Sequence, residues 1–171
     1  MSNLLGKLDS YQLLTNILPG AFFVWMLKFL FGLTIPSENI IENILVYYFV
    51  GLVINRISSL TVKPLLMFTR SIKYESYSSF LQAEKIDSKI KVLSEANNSF
   101  RSFFTCILAL PIVYGLVNIH SRWSWFAMHW EWFAILFLAI LFLGVLFFFA
   151  HRKQTKYVRE RVEEINNSEK D

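Results

Sequence analysis

The chain has 171 residues, of which 54% are hydrophobic and 17% aromatic, whereas only 18% carry a formal charge and the net charge is +4. A soluble domain usually has about a quarter of its residues charged, so this composition, with a mean hydropathy of +0.42, excludes an ordinary water-soluble globule. The single cysteine, Cys106, excludes an intrachain disulfide and a zinc site built from thiolates.

Four apolar segments predict an all-α protein with four transmembrane helices, at residues 11–35, 40–60, 103–119 and 132–150. The last segment, WFAILFLAILFLGVLFFFA, contains no polar side chain, and roughly 18 or more apolar residues are enough for a helix to cross a bilayer. Pro19 and Pro111 fall inside predicted spans, where neighbouring helices can satisfy the carbonyl groups that a proline frees. The first segment is too long for the apolar part of a signal peptide, and no cleavage site of the A-x-A type follows it.

The predicted spans divide the chain into four parts. These are an N-terminal transmembrane hairpin (1–60), a cytoplasmic segment (61–102), a C-terminal transmembrane hairpin (103–150) with an outer tryptophan-rich loop (120–131), and a cytoplasmic tail (151–171).

The positions of the basic residues predict the orientation. If the N-terminus is inside, all seventeen lysines and arginines except two lie on the inner side. The exceptions are Lys28, within the first span, and Arg122, on the outer side. Loops rich in Lys and Arg stay in the cytoplasm, so both termini are predicted to be cytoplasmic.

Four residues that can carry a charge lie inside or at the ends of the predicted spans: Lys28, Glu42, Arg56 and Glu131. Such residues are costly in hydrocarbon and are functional candidates by default. We expect Lys28 either to reach the outer surface or to pair with Glu42 or Glu131. One lysine is not a charged pathway, so structural pairing is favoured over ion conduction.

The cytoplasmic segment opens with VKPLLMFTRSIKY, which mixes bases with apolar residues. This mixture suits either an interfacial helix on the anionic inner leaflet or a covered loop. Next, Ser79 and Gln82 form a capping-box pattern, which predicts one long helix continuing into the third span. An a/d-like stripe on it should pack against another copy, the tail or a partner: Ile86, Ile90, Leu93, Asn97 and Phe100.

The outer hairpin HSRWSWFAMHWEW holds four of the five tryptophans, Trp123, Trp125, Trp130 and Trp132. Indole rings favour the headgroup layer, so we expect these residues to anchor the hairpin at the membrane interface. Binding of a sugar or a lipid headgroup is the alternative. Stacking on bases needs a basic groove, which one arginine does not provide, so no direct binding of nucleic acid is expected.

The tail HRKQTKYVRERVEEINNSEKD begins basic and becomes acidic. Lys156 and Glu160, and Arg159 and Glu163, are four residues apart, a spacing that supports a helix continuing from the fourth span.

No motif predicts catalysis. His120 and His129 with Glu131 match no compact pattern of metal ligands, and the chain contains no phosphate-binding glycine loop, nucleophile elbow or H-E-x-x-H sequence. We therefore expect no enzyme activity, no metal and no cofactor.

Three stretches, NILPGAFFVWML, YYFVGLVINRISSL and FLQAEKIDSKIKVLSEANNSFRSFF, resemble small four-span bacterial proteins of anti-phage defence loci, in particular the membrane subunits of the Kiwa system. The resemblance covers roughly residues 11–105 and carries no functional residues. It implies a homo-oligomer in the bacterial inner membrane, with a tetramer as the working assumption. It also implies a cytosolic DNA-binding effector as partner, and a response to infection at the cell envelope.

Two classes of function follow from this pattern. The first is a membrane-embedded sensor or scaffold that recruits or regulates a cytosolic effector, which the cytoplasmic helix favours. The second is a holin-like or pore-forming toxin or channel, which would need a polar stripe along the bundle that the fourth span does not offer.

Overall fold

The computed structural model describes residues 2–33, 35, 37–118 and 130–168, and every regular element within these ranges is helical. This confirms the all-α prediction. The elements are α1 (Ser2–Phe31), α2 (Ile40–Ile57), a π-helical turn (Ser58–Val62), α3 (Lys63–Phe68), α4 (Tyr77–Ile86), α5 (Lys89–Asn118) and α6 (Trp130–Ser168).

Three helical segments in the described ranges are long and apolar enough to cross a membrane: Leu13–Phe31, Ile40–Phe68 and Phe137–Ser168. They correspond to the first, second and fourth predicted spans, and their length and composition support the transmembrane character of the chain. The third predicted span, 103–119, forms the second half of α5 as far as Asn118 and is not one of the three.

Helix α1 ends earlier than the apolar segment predicts. Gly32 has a φ of 68°, and its N–H donates to the Lys28 carbonyl oxygen at 2.9 Å. This left-handed residue stops the helix at Phe31, because glycine adopts that conformation without a steric cost. Asn39 caps the start of α2, because its side-chain oxygen accepts the Ile41 N–H at 2.9 Å.

Proline inside α1 creates a contact with α5. Pro19 has no N–H to donate to the Thr15 carbonyl four residues earlier. The hydroxyl of Ser99, on α5, donates to that carbonyl oxygen at 3.4 Å. The proline is buried, and its own carbonyl oxygen accepts a contact from the Cys106 thiol at 3.6 Å.

Two glycines let α1 and α2 approach backbone to backbone. A Cβ atom on Gly20 would collide with the Tyr47 carbonyl oxygen, and one on Gly51 with the Asn16 carbonyl oxygen. Small residues at such crossings give membrane helices the close packing that lipid itself does not drive. This hairpin therefore depends on the absence of two side chains.

The second apolar helix runs further than predicted. It continues through the π turn into α3 and ends at Phe68, so residues 40–68 form one helical segment without a boundary at residue 60. Pro64, near the start of α3, cannot donate a backbone hydrogen bond, and the turn before it is bonded in the wider π pattern, with the Lys63 N–H donating to the Ser58 carbonyl oxygen.

The prediction of one long helix from Ser79 into the third span is wrong. The chain forms two helices, α4 and α5, because Asp87 adopts an extended conformation between them. Its carboxylate caps α5 by accepting the Lys89 N–H at 3.0 Å, and this hydrogen bond holds the pKa of Asp87 below its ordinary value. The cap of α4 is also displaced from the predicted box, because Ser76, not Ser79, accepts the N–H of the first turn.

Helices α5 and α6 pack along both their apolar and their polar halves. In the apolar half, Phe103 stacks on Phe147 with ring centres 4.9 Å apart. In the polar half, Ile90 packs with Ala83 of α4 and with Val158 and Val162 of α6.

Ion pairs reinforce the tail as a helix and join it to the connection between α4 and α5. The predicted pairs Lys156–Glu160 and Arg159–Glu163 are confirmed at 3.5 and 3.2 Å. In addition, Arg161 contacts the Asp87 carboxylate at 3.1 Å.

We predict that Gly51→Ala lowers the stability of the chain by about 1–3 kcal/mol, because the added methyl group forces α2 away from α1. Thermal unfolding of the detergent-purified protein measures this effect. Gly115→Ala is the matched control, since a Cβ there meets no atom within 4 Å. Equal melting temperatures for the two variants would contradict the close approach of α1 and α2.

Candidate functional site

A layer of polar side chains crosses the helix bundle where the apolar halves of α5 and α6 give way to their polar halves. We call it the polar layer. Its members are Asn16, Asn55, Ser58, Tyr74, Asn97, Arg101, His151 and Thr155.

Arg101 lies at the centre of the polar layer and is only 5% exposed. Its Nε donates to the Ser58 hydroxyl at 3.0 Å, and its Nη2 donates to the Asn55 side-chain oxygen at 3.4 Å. The Asn55 amide in turn donates to the Asn16 side-chain oxygen at 3.2 Å. One guanidinium therefore connects α5 to the π turn, to α2 and, through Asn55, to α1.

Burial lowers the pKa of Arg101, while the nearby Tyr74 acts in the opposite direction. An arginine nevertheless keeps its proton in a protein, because the guanidinium group is too weak an acid to lose it near neutral pH. No carboxylate of the described residues lies within 4.0 Å of this guanidinium. Among the described side chains, the groups that solvate this buried positive charge are therefore neutral.

Asn97 and Thr155 join α5 to α6. The Asn97 amide donates to the Thr155 hydroxyl at 3.0 Å, and that hydroxyl lies 2.9 Å from the carbonyl oxygen of His151, one turn earlier. Both side chains are buried. The Gln154 amide also donates to the Leu93 carbonyl oxygen at 3.4 Å, so two consecutive side chains of α6 hold the same turn of α5.

Tyr74 joins the connection after α3 to α6. Its hydroxyl lies 2.8 Å from Nε2 of His151, which is completely buried. Burial raises the pKa of Tyr74, so the hydroxyl stays protonated at neutral pH. Nδ1 of the same histidine is buried without a hydrogen-bond partner in the described part of the chain.

A cavity of about 400 Å³ adjoins the polar layer, and we call it the Arg101 cavity. Its lining includes four cationic side chains, Arg56, Lys63, Arg101 and Arg159, and one carboxylate, Glu75. The Lys63 Nζ lies 5.0 Å from the centre of the Tyr74 ring, which also lines the cavity.

A second depression, of about 520 Å³, lies beside the first and shares Thr155 and Arg159 with it. We call it the basic cleft. Its described lining contains no carboxylate, and Ile72 and Phe149 are its apolar members. Its cations are Arg70, Lys73, Arg152, Lys153, Lys156 and Arg159.

Three of the predicted charged residues, Lys28, Glu42 and Arg56, form no ion pair with one another. Lys28 is exposed at the end of α1 and forms no ion pair with the rest of the described chain. Glu42 is exposed in the first turn of α2, where it contacts the Asn39 amide. Arg56 lines the Arg101 cavity. Glu131 belongs to the first turn of α6.

The predicted stripe is divided between two helices. Ile86 ends α4 and is 54% exposed, whereas Ile90 is completely buried against the tail. Leu93 packs against the same cluster, Asn97 belongs to the polar layer and Phe100 is half-buried.

Two of the predicted tryptophan anchors, Trp123 and Trp125, lie outside the described residues, as does most of the outer loop. Trp130 and Trp132 belong to the first turn of α6.

Sequence reasoning singled out Asn97, as a member of the predicted stripe, and missed the rest of the polar layer. Its members are ordinary polar residues near the ends of apolar segments, and Arg101 counts among the cytoplasmic bases that set the orientation. A further signal was the group N-x-x-S at Asn55 and Ser58, which places two polar side chains on one helical face beside Arg56.

Within the described residues, no group of three His, Cys, Asp or Glu side chains could hold a metal ion. No family model, curated protein or solved structure matches the chain. The arrangement of the polar layer supports connection between helices and binding of an anion.

We predict that Tyr74→Phe destabilises the protein by about 1–3 kcal/mol, because the buried Nε2 of His151 loses its hydrogen-bond partner. Tyr77→Phe is the matched control, since Tyr77 is 76% exposed. Unfolding in detergent, followed by tryptophan fluorescence, measures both. A Tyr74→Phe variant as stable as the control would show that the hydrogen bond between Tyr74 and His151 contributes nothing to the stability of the protein.

Proposed function

We propose that this chain is a membrane-embedded sensor and scaffold subunit, which passes a change in the bilayer to a cytosolic partner. The observation that carries the proposal is the continuity of α5 and α6. Each runs without a break from an apolar half to a polar half, and the two pack together in both halves. A movement of the apolar halves therefore also moves the polar halves.

The second half of α5 supports a count of four spans with both termini in the cytoplasm. Phe103, where this half begins, packs on Phe22 of α1 at 5.5 Å and on Phe147 of α6 at 4.9 Å, and both partners belong to candidate membrane helices. A helix held between two spans is expected to share their environment, and this packing supports the proposal that the second half of α5 is a fourth span.

The basic cleft supports the orientation. Six cations surround it at the point where the apolar half of α6 ends. Basic residues beside a span favour the cytoplasmic side and interact with anionic lipid of the inner leaflet.

Cysteine labelling tests the topology. We expect a membrane-impermeant maleimide to label Glu38→Cys in intact cells, because the loop before α2 lies outside. Ser168→Cys should react only after permeabilisation. The wild-type chain is the control, since Cys106 is buried. Labelling of Ser168→Cys in intact cells would overturn the orientation.

The partner and the setting rest on the resemblance to Kiwa membrane subunits. We infer a homo-oligomer in the bacterial inner membrane that recruits or regulates a cytosolic DNA-binding effector during phage infection. Helix α4 supports this role, because its first and last residues, Tyr77 and Ile86, expose large side chains on the cytoplasmic side of the proposed topology. Exposed aromatic and aliphatic side chains of this kind are typical of protein interfaces.

Native mass spectrometry tests the scaffold function. The chain is expressed with its native gene neighbourhood and purified in mild detergent. We expect a defined multimer that carries a cytosolic protein, and we expect Ile86→Ala to raise the Kd for that protein about tenfold, a loss of about 1.4 kcal/mol. Tyr157→Ala is the control, because Tyr157 is similarly exposed, at 49%, on the tail.

An oligomer that is purified without any cytosolic protein would contradict the proposal that the chain binds its partner constitutively. Expression of the chain alone then separates the two classes of function. A scaffold leaves the membrane potential unchanged without its partner, whereas a holin-like pore depolarises the cells.

A further inference from the structure

The buried charge of Arg101 calls for a counter-ion that the described chain does not supply. Moving a charged group out of water is expensive unless an opposite charge or a complete set of hydrogen bonds compensates. Nε and Nη2 have the neutral acceptors Ser58 and Asn55, and the described residues provide no carboxylate within ion-pair distance.

The Arg101 cavity adds further positive charge. Lys63 is close enough to Arg101 for the two cations to repel each other, and Arg56 lines the same space. Arg159 is the only one of the four cations with a carboxylate within ion-pair distance in the described chain, the Glu163 side chain at 3.2 Å. Glu75 is the single carboxylate of the lining, and it forms no ion pair with a described residue. The three cations without an ion pair among the described residues, Arg56, Lys63 and Arg101, therefore share the cavity with one carboxylate, that of Glu75.

The shape and the donors of this space suit an oxyanion. Its volume of about 400 Å³ lies within the range of ligand sites in proteins. Neutral side chains in the lining, such as Ser59 and Asn98, add hydrogen-bond donors to the charged ones. Guanidinium groups bind phosphate through pairs of parallel hydrogen bonds, and an ammonium group adds a point charge.

We propose that the Arg101 cavity is a binding site for a phosphate-bearing anion, held by Arg101, Lys63 and Arg56. The phosphate belongs either to an anionic phospholipid headgroup or to a soluble phosphate compound. Such a site does not depend on the proposed sensor function.

Binding of inorganic phosphate to the detergent-purified full-length chain is the first test. Thermal unfolding is followed while phosphate replaces chloride at constant ionic strength. A ligand that binds only the folded state raises stability in proportion to the logarithm of its concentration above Kd. We expect a saturable rise in melting temperature for the wild-type chain.

Substitutions locate the site. Arg56→Gln and Lys63→Gln should each weaken apparent phosphate binding about tenfold or more. Arg56 is exposed and has no hydrogen bond or ion pair in the described chain, so its variant is expected to fold even if a substitution of buried Arg101 does not. Glu75→Gln should strengthen binding, because it removes the one negative charge. The matched control is Arg152→Gln with Lys153→Gln, which changes the basic cleft and leaves the Arg101 cavity intact.

Nanodiscs distinguish the two sources of phosphate. If the ligand is a lipid, adding phosphatidylglycerol to a phosphatidylcholine disc raises the melting temperature of the wild-type chain more than that of the Arg56→Gln variant. Inorganic phosphate then raises the melting temperature little further. If the ligand is soluble, inorganic phosphate stabilises the chain equally in discs with and without phosphatidylglycerol.

Three outcomes would overturn the proposal. One is a wild-type chain that responds to neither phosphate nor phosphatidylglycerol. Another is a response that Arg56→Gln and Lys63→Gln leave unchanged. The last is a response that only the variant of the basic cleft abolishes.

Discussion

A buried guanidinium must keep its hydrogen-bonding partners, and this constraint fixes how the helices of this chain are arranged. Arg101 holds Ser58 of the π turn and Asn55 of α2, and Asn55 holds Asn16 of α1. Sliding α5 by one turn would leave the charge buried without these partners, which costs far more than the loss of an exposed pair. The close glycine contact between α1 and α2 holds these two helices together as one rigid hairpin, and α5 packs against that hairpin.

The fold class and the membrane helices could be predicted because long apolar blocks are a local property of the chain. The same holds for the ion pairs of the tail, which are four residues apart. The break at Asp87 was missed because a side-chain cap overrides an apolar period that would otherwise continue. Most of the polar layer was missed for a different reason. Its bonds join residues 39 to 77 positions apart, as in Asn16–Asn55 and Tyr74–His151, and no spacing rule for one helix detects them.

The polar layer also separates two kinds of packing. On its apolar side, aromatic rings and glycine contacts join the helices, and most large side chains of the candidate spans face outward. On its polar side, a small aliphatic cluster and ion pairs join α4 and α5 to the tail. Polar contacts of fixed geometry at the boundary keep these two regions in register, and they form the wall of the Arg101 cavity. A ligand in that cavity would therefore touch the elements that connect the two regions.

The length of α6 has a mechanical consequence. At a rise of about 1.5 Å per residue, the part of this helix from Lys156 to Ser168 extends about 20 Å beyond the polar layer. Val158 and Val162 pack against Ala83 and Ile90 in this part, so α4 and the start of α5 are joined to it. If α6 spans the bilayer as proposed, a change in tilt of about 10°, well within the range that spanning helices adopt, would carry its far end by about 3.5 Å. Helix α4 and the start of α5 would then be displaced together with the tail.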